Sequence, residues 1–360
     1  ILIDNGLNLP IKVTSLGVDH IKTTTTKIYL EAKNFKFLHV SSCFPRKGID
    51  ILLSAYGKAF SSEDDVSLII KTTPNPHNNV KIILEGLRAD NDSYPHVLVL
   101  EDDFSDINMS ALYNLSNVLV APSFGEGFGL PIGEAMSLGL PVITTAWGGQ
   151  TDFCNDSNSW LIDFSFEYAK THFNLTSSVW AKPSESHLIE LLKEVYSASN
   201  EKIRSKTNAA KAQMSKYTWE NVAKLNLSFV KSLSFKEKFK ESRIGWISTF
   251  NSRCGIAAYT KHLLEYISDF KIILTPKDEE SLINENANVI RCWSIGDAEL
   301  SNFDELYNIV ITKKLTTVVL QFNYGFYDFD ALKILINKLI NMQIKIIIMI
   351  HSTKDPIDFP

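Results

Sequence analysis

Two acidic side chains, Glu126 and Glu134, stand with seven residues between them in the run from Ser123 to Glu134. The run follows the apolar stretch Val118–Ala121 and carries Gly125, Gly127 and Gly129, then Pro131. This succession predicts a strand, a glycine-rich turn and a helix start. Glycines let the backbone pass close to a ligand, and proline suits the first turn of a helix. Unpaired amides and the helix dipole at such a start favour a phosphate. Glu126, on the loop, is then placed to meet sugar hydroxyls. Glu134, about one turn into the helix, is placed to accept hydrogen bonds from a ribose diol. The plain alternative is a tight turn with two solvated glutamates. One window that supplies strand, glycines, proline and both acids favours the ligand site.

The elements that must hold these residues alternate along the chain. Phe35–Ser41 is an apolar run, and a helix opens at Gly48 with Ile49, Leu52, Leu53, Tyr56 and Phe60 on one face. Further strands are expected at Val66–Lys71, His96–Leu100, Val118–Ala121 and Pro141–Thr145, each separated by a helical or mixed segment. Such alternation argues an α/β fold with a doubly wound parallel sheet, which binds ligands at the carboxyl ends of its strands. From Ser184 to Phe235 the pattern is helical only, and Ser234 to Ser242 reads as a charged linker. Strand–helix alternation restarts at Ile244–Ser248, with a helix from Gly255, strands at Lys271–Leu274 and Thr317–Gln321, a helix from Asp330 and a buried strand at Ile344–Ile350.

Bulk properties exclude several classes. The sequence has 360 residues, 45% hydrophobic and 21% charged, which is ordinary for a globular protein. A net charge of −5 gives no basic excess with which to neutralise nucleic acid. Cys43, Cys154, Cys254 and Cys292 are widely spaced, with no C-x-x-C pair, so a reducing compartment without disulfides or a zinc site is expected. In such a compartment the glycosylation sequon at Asn174 carries no meaning. The apolar region Ala331–Ile350 is broken by Lys333, Lys338, Asn341, Gln343 and Lys345, and so reads as an amphipathic helix and a strand, not a membrane span. With no signal-peptide pattern, the expected location is cytoplasmic, with peripheral association at the inner membrane face left open.

At this level of detail the chain resembles the family 4 retaining glycosyltransferases of the GT-B fold. The residues that carry the resemblance are the E-x7-E pair Glu126 and Glu134, Pro122-Ser123, Gly127 to Pro131, Glu134 to Met136, and Gly139 to Ile143. It extends from about Phe35 to Thr218–Glu220. The resemblance implies that Glu134 binds the nucleotide ribose and that Glu126 contacts the donor sugar near the reacting carbon. It further implies that the amides of Phe128, Gly129 and Leu130, next to Gly127, hold the sugar and diphosphate. Lys47 matches a family lysine that neutralises the departing diphosphate. The family's usual Gly-Arg pair reads Ser41-Ser42 here, so one cation is missing from its place; Arg46 is a candidate substitute, the alternative being a surface arginine. Lys71, at a strand end, is a weaker candidate for the same crevice, and the loop Leu100–Asp103 follows the strand that resembles the family's base-binding edge.

The segment from Arg243 to Thr260 resembles the first strand, loop and helix of the family's acceptor-side domain. Gly255 would allow a close pass there, and His351 matches a histidine that touches the donor sugar. The expected organisation is therefore residues 1–30 as the end of a preceding acceptor domain and linker, 31–235 as the donor domain, 236–242 as a linker, and 243–360 as a partial acceptor-side domain of a second enzyme. An internal slice of a tandem transferase, without a complete active site, is the implied account. The implied activity moves a sugar, with mannose among the candidates, from a GDP- or UDP-linked donor to a glycan or lipid-linked acceptor in surface polysaccharide synthesis. No metal or other cofactor is expected.

Rival readings are weaker. A dinucleotide dehydrogenase would need an acid after the next strand, where Ala146-Trp147-Gly148 stands. Asp328-Phe329-Asp330 spells a metal motif but precedes a helical pattern, so a helix cap is expected. A non-catalytic nucleotide- or partner-binding module remains as the alternative from another class, with Ser42 as its support.

Overall fold

A computed structural model describes residues 9–169, 178–233, 243–267, 271–286, 288–323 and 325–351. The sequon and the charged linker fall outside these residues. The chain divides into two compact units, one spanning Ser15–Thr218 and one comprising Leu2–Thr14 with Trp219–Thr353.

The first unit runs β1 (Phe35–Val40), α1 (Ile49–Ala59), β2 (Val66–Lys71), α2 (Val80–Asp90), β3 (His96–Leu100), α3 (Asp106–Leu115), β4 (Val118–Ala121), α4 (Leu130–Leu138), β5 (Val142–Thr145), β6 (Trp160–Ile162), β7 (Phe164–Tyr168), β8 (Val179–Pro183), α5 (Glu185–Ser197) and α6 (Asn200–Met214). Strands β1 to β6 form one sheet in the order β3-β2-β1-β4-β5-β6, every pair parallel. The strands are near-continuous apolar runs because both faces are covered. Phe37, Leu68, Ile70, Val118 and Val120 join α1, α2 and α5 in one core. Their neighbours Leu38, Ile69, Leu119 and Val142 join α3, α4 and α6 in another. Alternate residues thus feed opposite faces, and the expected doubly wound sheet is present. The strand order reverses between β1 and β4, where a parallel sheet opens a crevice at its carboxyl edge.

Helix starts follow their caps. Ser105, Ser184 and Ser199 each accept from an amide of the first turn of α3, α5 and α6. Helix α4 differs, beginning after Gly129 at φ 86° with no side-chain cap. Its first amides are left for something else.

The second unit runs α7 (Trp219–Ser232), β9 (Ile244–Ile247), α8 (Gly255–Glu265), β10 (Lys271–Pro276), β11 (Val289–Trp293), α9 (Asp304–Thr312), β12 (Thr317–Phe322), α10 (Phe329–Asn341) and β13 (Lys345–Ile350). Its sheet is also parallel, in the order β11-β10-β9-β12-β13. The sequence carried the first domain to residue 235, yet α7 groups with the second unit. The cause is local: the Trp219 ring stacks on His262 at 5.1 Å and meets Tyr259 edge-on at 5.5 Å, both on α8. A second difference is β13, expected to be buried. It is an edge strand, half-buried with Ile348 exposed, because only β12 pairs with it among the described residues. Asp328 caps α10 through the Ala331 amide at 2.9 Å, as the helix-cap reading expects. No helix among the described residues is long and apolar enough to cross a membrane.

Candidate functional site

The loops that follow β1 and β4 flank the switch point, and they carry the residues singled out by type and spacing. After β1 the chain turns through Pro45–Lys47 and enters α1 at Gly48. Gly48 has φ 69°, and a Cβ there would lie 2.0 Å from the Pro122 carbonyl oxygen. Only glycine lets this turn press against the loop after β4. The Phe124 amide closes the contact by donating to the Arg46 carbonyl at 2.8 Å.

That approach brings three charges together. Lys47 Nζ donates to Glu126 Oε1 at 2.5 Å, and Arg46 Nη1 stands 3.6 Å from Glu126 Oε2 while donating to the Gly125 carbonyl at 2.9 Å. Ser123 Oγ donates to Glu126 Oε1 at 2.7 Å. Burial pushes the Glu126 carboxyl up, but the charges of Lys47 and Arg46 and the bonds from Lys47 and Ser123 more than offset it, so Glu126 is held below the usual carboxylate range. Burial draws the Lys47 ammonium down, against the pull of Glu126. Lys47 and Glu126 thus form a buried charge pair at the carboxyl edge of the sheet.

Beneath the pair lies His39, fully buried. Its Nδ1 donates to the Val120 carbonyl at 2.8 Å and its Nε2 accepts from Ser41 Oγ at 2.8 Å. Burial lowers it to about 4, so the imidazole is neutral at neutral pH. Ser41 is thus tied into the floor of the site.

The start of α4 lies beside these charges. Among the described residues, the amides of Phe128, Gly129 and Leu130 donate to no protein acceptor. Gly149 donates to the Glu126 carbonyl at 2.8 Å and locks the loop from the other side. One turn into α4, Glu134 is buried, its carboxylate bonded to His20 Nε2 at 2.9 Å and to the Tyr113 hydroxyl at 2.7 Å. A cavity of about 230 Å³ opens at the carboxyl ends of β1, β2 and β3, lined by Ser41, Ser42, Lys71, Asp103, Phe104 and Met109 among others. Lys71 Nζ sits 5.2 Å over the Phe104 ring and donates to the Thr72 carbonyl at 3.0 Å. Burial lowers this lysine, against Asp103 and Asp102.

The structure therefore brings Lys47 and Arg46 onto Glu126, carries Gly127, Phe128, Gly129 and Leu130 in the adjoining loop and helix start with Glu134 one turn further on, and puts Lys71 in the cavity at the carboxyl ends of β1–β3. In the second unit, Gly255 is the first residue of α8 and His351 follows β13. His351 Nε2 bonds Gln321 Oε1, and its ring lies 5.0 Å from Tyr259. Burial lowers it to about 4. Among the described residues no three His, Cys, Asp or Glu side chains are grouped to hold a metal ion. Ser123, His39, His20 and Tyr113 were not singled out by sequence. Ser123 stood in the quoted run, whereas His20 and Tyr113 reach Glu134 from distant segments and carry no local signal.

Residues 34–170 match the family model described as Glycosyl transferases group 1. A stretch of 118 residues is 31% identical to a sucrose synthase of Denitrovibrio acetiphilus, covering 33% of this chain and 13% of that protein. A stretch of 141 residues is 30% identical to an MMP alpha-(1->4)-mannosyltransferase of Mycolicibacterium hassiacum, covering 38% and 31%. The matched segments thus span under a third of either relative. Among solved structures, Anabaena HepE in complex with UDP-glucose superposes with a TM-score of 0.42 at 21% identity, over 55% of this chain and 48% of that one.

Proposed function

We propose that the first unit is the donor-binding half of a retaining glycosyltransferase that uses a nucleoside-diphosphate sugar. The observation that carries the reading is the convergence of Lys47 and Arg46 on Glu126 beside the uncapped start of α4. In this reading the diphosphate takes the place that Glu126 now holds on Lys47. As the bond from the sugar's anomeric carbon to the diphosphate oxygen breaks, negative charge grows on the leaving group. Lys47, Arg46 and the amides of Phe128, Gly129 and Leu130 stabilise it. Glu126, released from Lys47, aligns the sugar through its hydroxyls. The acceptor hydroxyl attacks the same face and its proton passes to the departing diphosphate, giving retention.

The reading extends to the nucleoside end. Glu134 receives the ribose and the cavity at β1–β3 takes the base. A glycan or lipid-linked acceptor, mannose as one donor sugar, and a place in surface polysaccharide synthesis are part of the proposal. The second unit is read as the acceptor-side domain of a second transferase, with Gly255 and His351 at the carboxyl edge of its own sheet.

Titration calorimetry with UDP and GDP tests the reading. One of them binds, and Lys47→Ala weakens it by about tenfold to a hundredfold, the worth of a charge-assisted hydrogen bond. Arg46→Ala weakens it less, because Arg46 is half exposed. Failure of both nucleotides to bind overturns the reading. Unchanged affinity in Arg46→Ala removes Arg46 as the substitute for the missing family arginine. The non-catalytic alternative, favoured by Ser42, is separated by product analysis: nucleotide binding without donor hydrolysis or transfer supports it.

A further inference from the structure

We propose that His20 and Tyr113 are positioning residues that set the Glu134 carboxylate to receive the paired hydroxyls of a ribose. The inference rests on the nucleotide-sugar reading above and deepens it at the nucleoside end.

Glu134 is an unusual residue to find inside a helix packed on a core. Its neighbours Ile132, Gly133, Ala135 and Met136 are all buried, and its own side chain is only 10% exposed. An ionised carboxylate out of water is costly unless hydrogen bonds compensate. Two do so. His20 Nε2 lies 2.9 Å from Oε1, and the Tyr113 hydroxyl lies 2.7 Å from Oε2. A carboxylate offers about four acceptor positions, so one donor on each oxygen leaves about two open. A ribose presents two adjacent hydroxyls, the number that completes the set.

The donors are fixed in sense. Burial, and then the charge of Glu134, push the Tyr113 phenol well above its usual range, so it remains a donor. An ionised carboxylate only accepts, which puts the His20 proton on Nε2. They are also fixed in place. The Val18 amide donates to the Tyr217 carbonyl at 2.9 Å, which ties down the segment bearing His20. A Cβ on Gly133 would lie 2.9 Å from Val18 Cγ1, so that segment rests directly on α4. Tyr113 projects from α3 one turn beyond Met109, which lines the cavity at β1–β3. The clamp therefore links α3, which carries the cavity-lining Met109, to α4, whose start holds the diphosphate in the reading above. Neither residue touches the reacting atoms. Both act through Glu134.

The test measures the affinity of UDP and GDP, each beside its dideoxyribose form that lacks both ring hydroxyls, for the whole chain and three variants. For the nucleotide that the unaltered chain binds, His20→Ala is expected to weaken the ribose form about tenfold and leave the dideoxyribose form unchanged. His20→Gln, which can still donate, recovers all but about threefold of the loss. Tyr113→Phe gives the same ribose-selective loss and keeps its ring in the core, so it decides the matter if His20→Ala unfolds. Equal losses on both sugar forms, or no loss on either, overturn the inference while the nucleotide site stands. If the unaltered chain does not distinguish ribose from dideoxyribose, the inference also falls. If it binds neither UDP nor GDP, the nucleotide-sugar reading falls with it.

Discussion

At the scale of single residues, the site is a set of ionisable groups held out of water, and pH acts on it directly. His39 is the clearest case. The imidazole titrates near 6.5 when exposed but at about 4 in its buried place between Val120 and Ser41. Between those values the unfolded chain holds a proton that the folded chain refuses, so acid favours unfolding. The first unit should lose about 3 kcal/mol as pH falls from neutral to 4, and regain it on return to neutral. Glu126 adds to the loss at the acid end. Its folded value is depressed, so the stability it contributes is present above the ordinary carboxylate range and disappears as pH drops through the folded value. Urea denaturation across this range, with His39→Asn alongside, checks the claim. A stability profile that His39→Asn leaves equally steep rules out His39 as the source. Residues of this kind divide by how they were legible. Lys47, Glu126 and Glu134 announce themselves because charge, glycine and proline are compressed into short runs. His39 does not, since a histidine within an apolar strand looks like any core residue until Ser41 and Val120 are seen to satisfy both ring nitrogens.

At the scale of elements, the site depends on two loops that pass closer than side chains permit. Gly149 follows β5 in a short turn, and a Cβ there would lie 1.9 Å from the Gly127 carbonyl oxygen. Gly149→Ala must push the turn and the glycine loop apart. It is expected to cost about 1–3 kcal/mol, the usual penalty of overpacking, and to break the bond from Gly149 to the Glu126 carbonyl. Gly125→Ala is the control, because nothing lies within 4 Å of its added Cβ. It should leave the melting temperature nearly unchanged. A Gly149→Ala chain as stable as its Gly125→Ala counterpart would contradict the close approach. The strands that bring these loops together were readable because β1 to β5 are apolar on both faces. The hairpin of β7 and β8 was not expected, although Phe164, Phe166 and Tyr168 alternate with polar residues along β7. Its five-residue alternation is brief and stands outside the main sheet, so neither length nor context marked it. Strand β11 and helix α9 were likewise unassigned, in a stretch where acidic and asparagine residues obscure the apolar period.

At the scale of the whole molecule, the described residues hold separate hydrophobic cores. Two of them cover opposite faces of the first sheet and share its strands. The third lies entirely in the second unit, around Trp293, Tyr327 and Leu335. Two strands in one sheet cannot lose their packing independently, so the first unit should melt as one. The second has its own sheet and core and need not melt with it. Sequence located the restart of strand–helix alternation, but it could not place α7, whose Trp219 is claimed by His262 and Tyr259 through contacts that no local pattern encodes. This division gives the proposed nucleotide site a thermodynamic test. A ligand that binds only the folded first unit stabilises that unit by about 2.7 kcal/mol at a hundred times its Kd. Differential scanning calorimetry should therefore show two transitions, of which saturating UDP or GDP moves one upward and leaves the other in place. Lys47→Ala should shrink that stabilisation to about 0.4–1.4 kcal/mol at the same nucleotide concentration without removing either transition, since Lys47 contributes to an ion pair and not to a core. A single transition, or a nucleotide shift of both, would mean that the two units unfold as a cooperative whole.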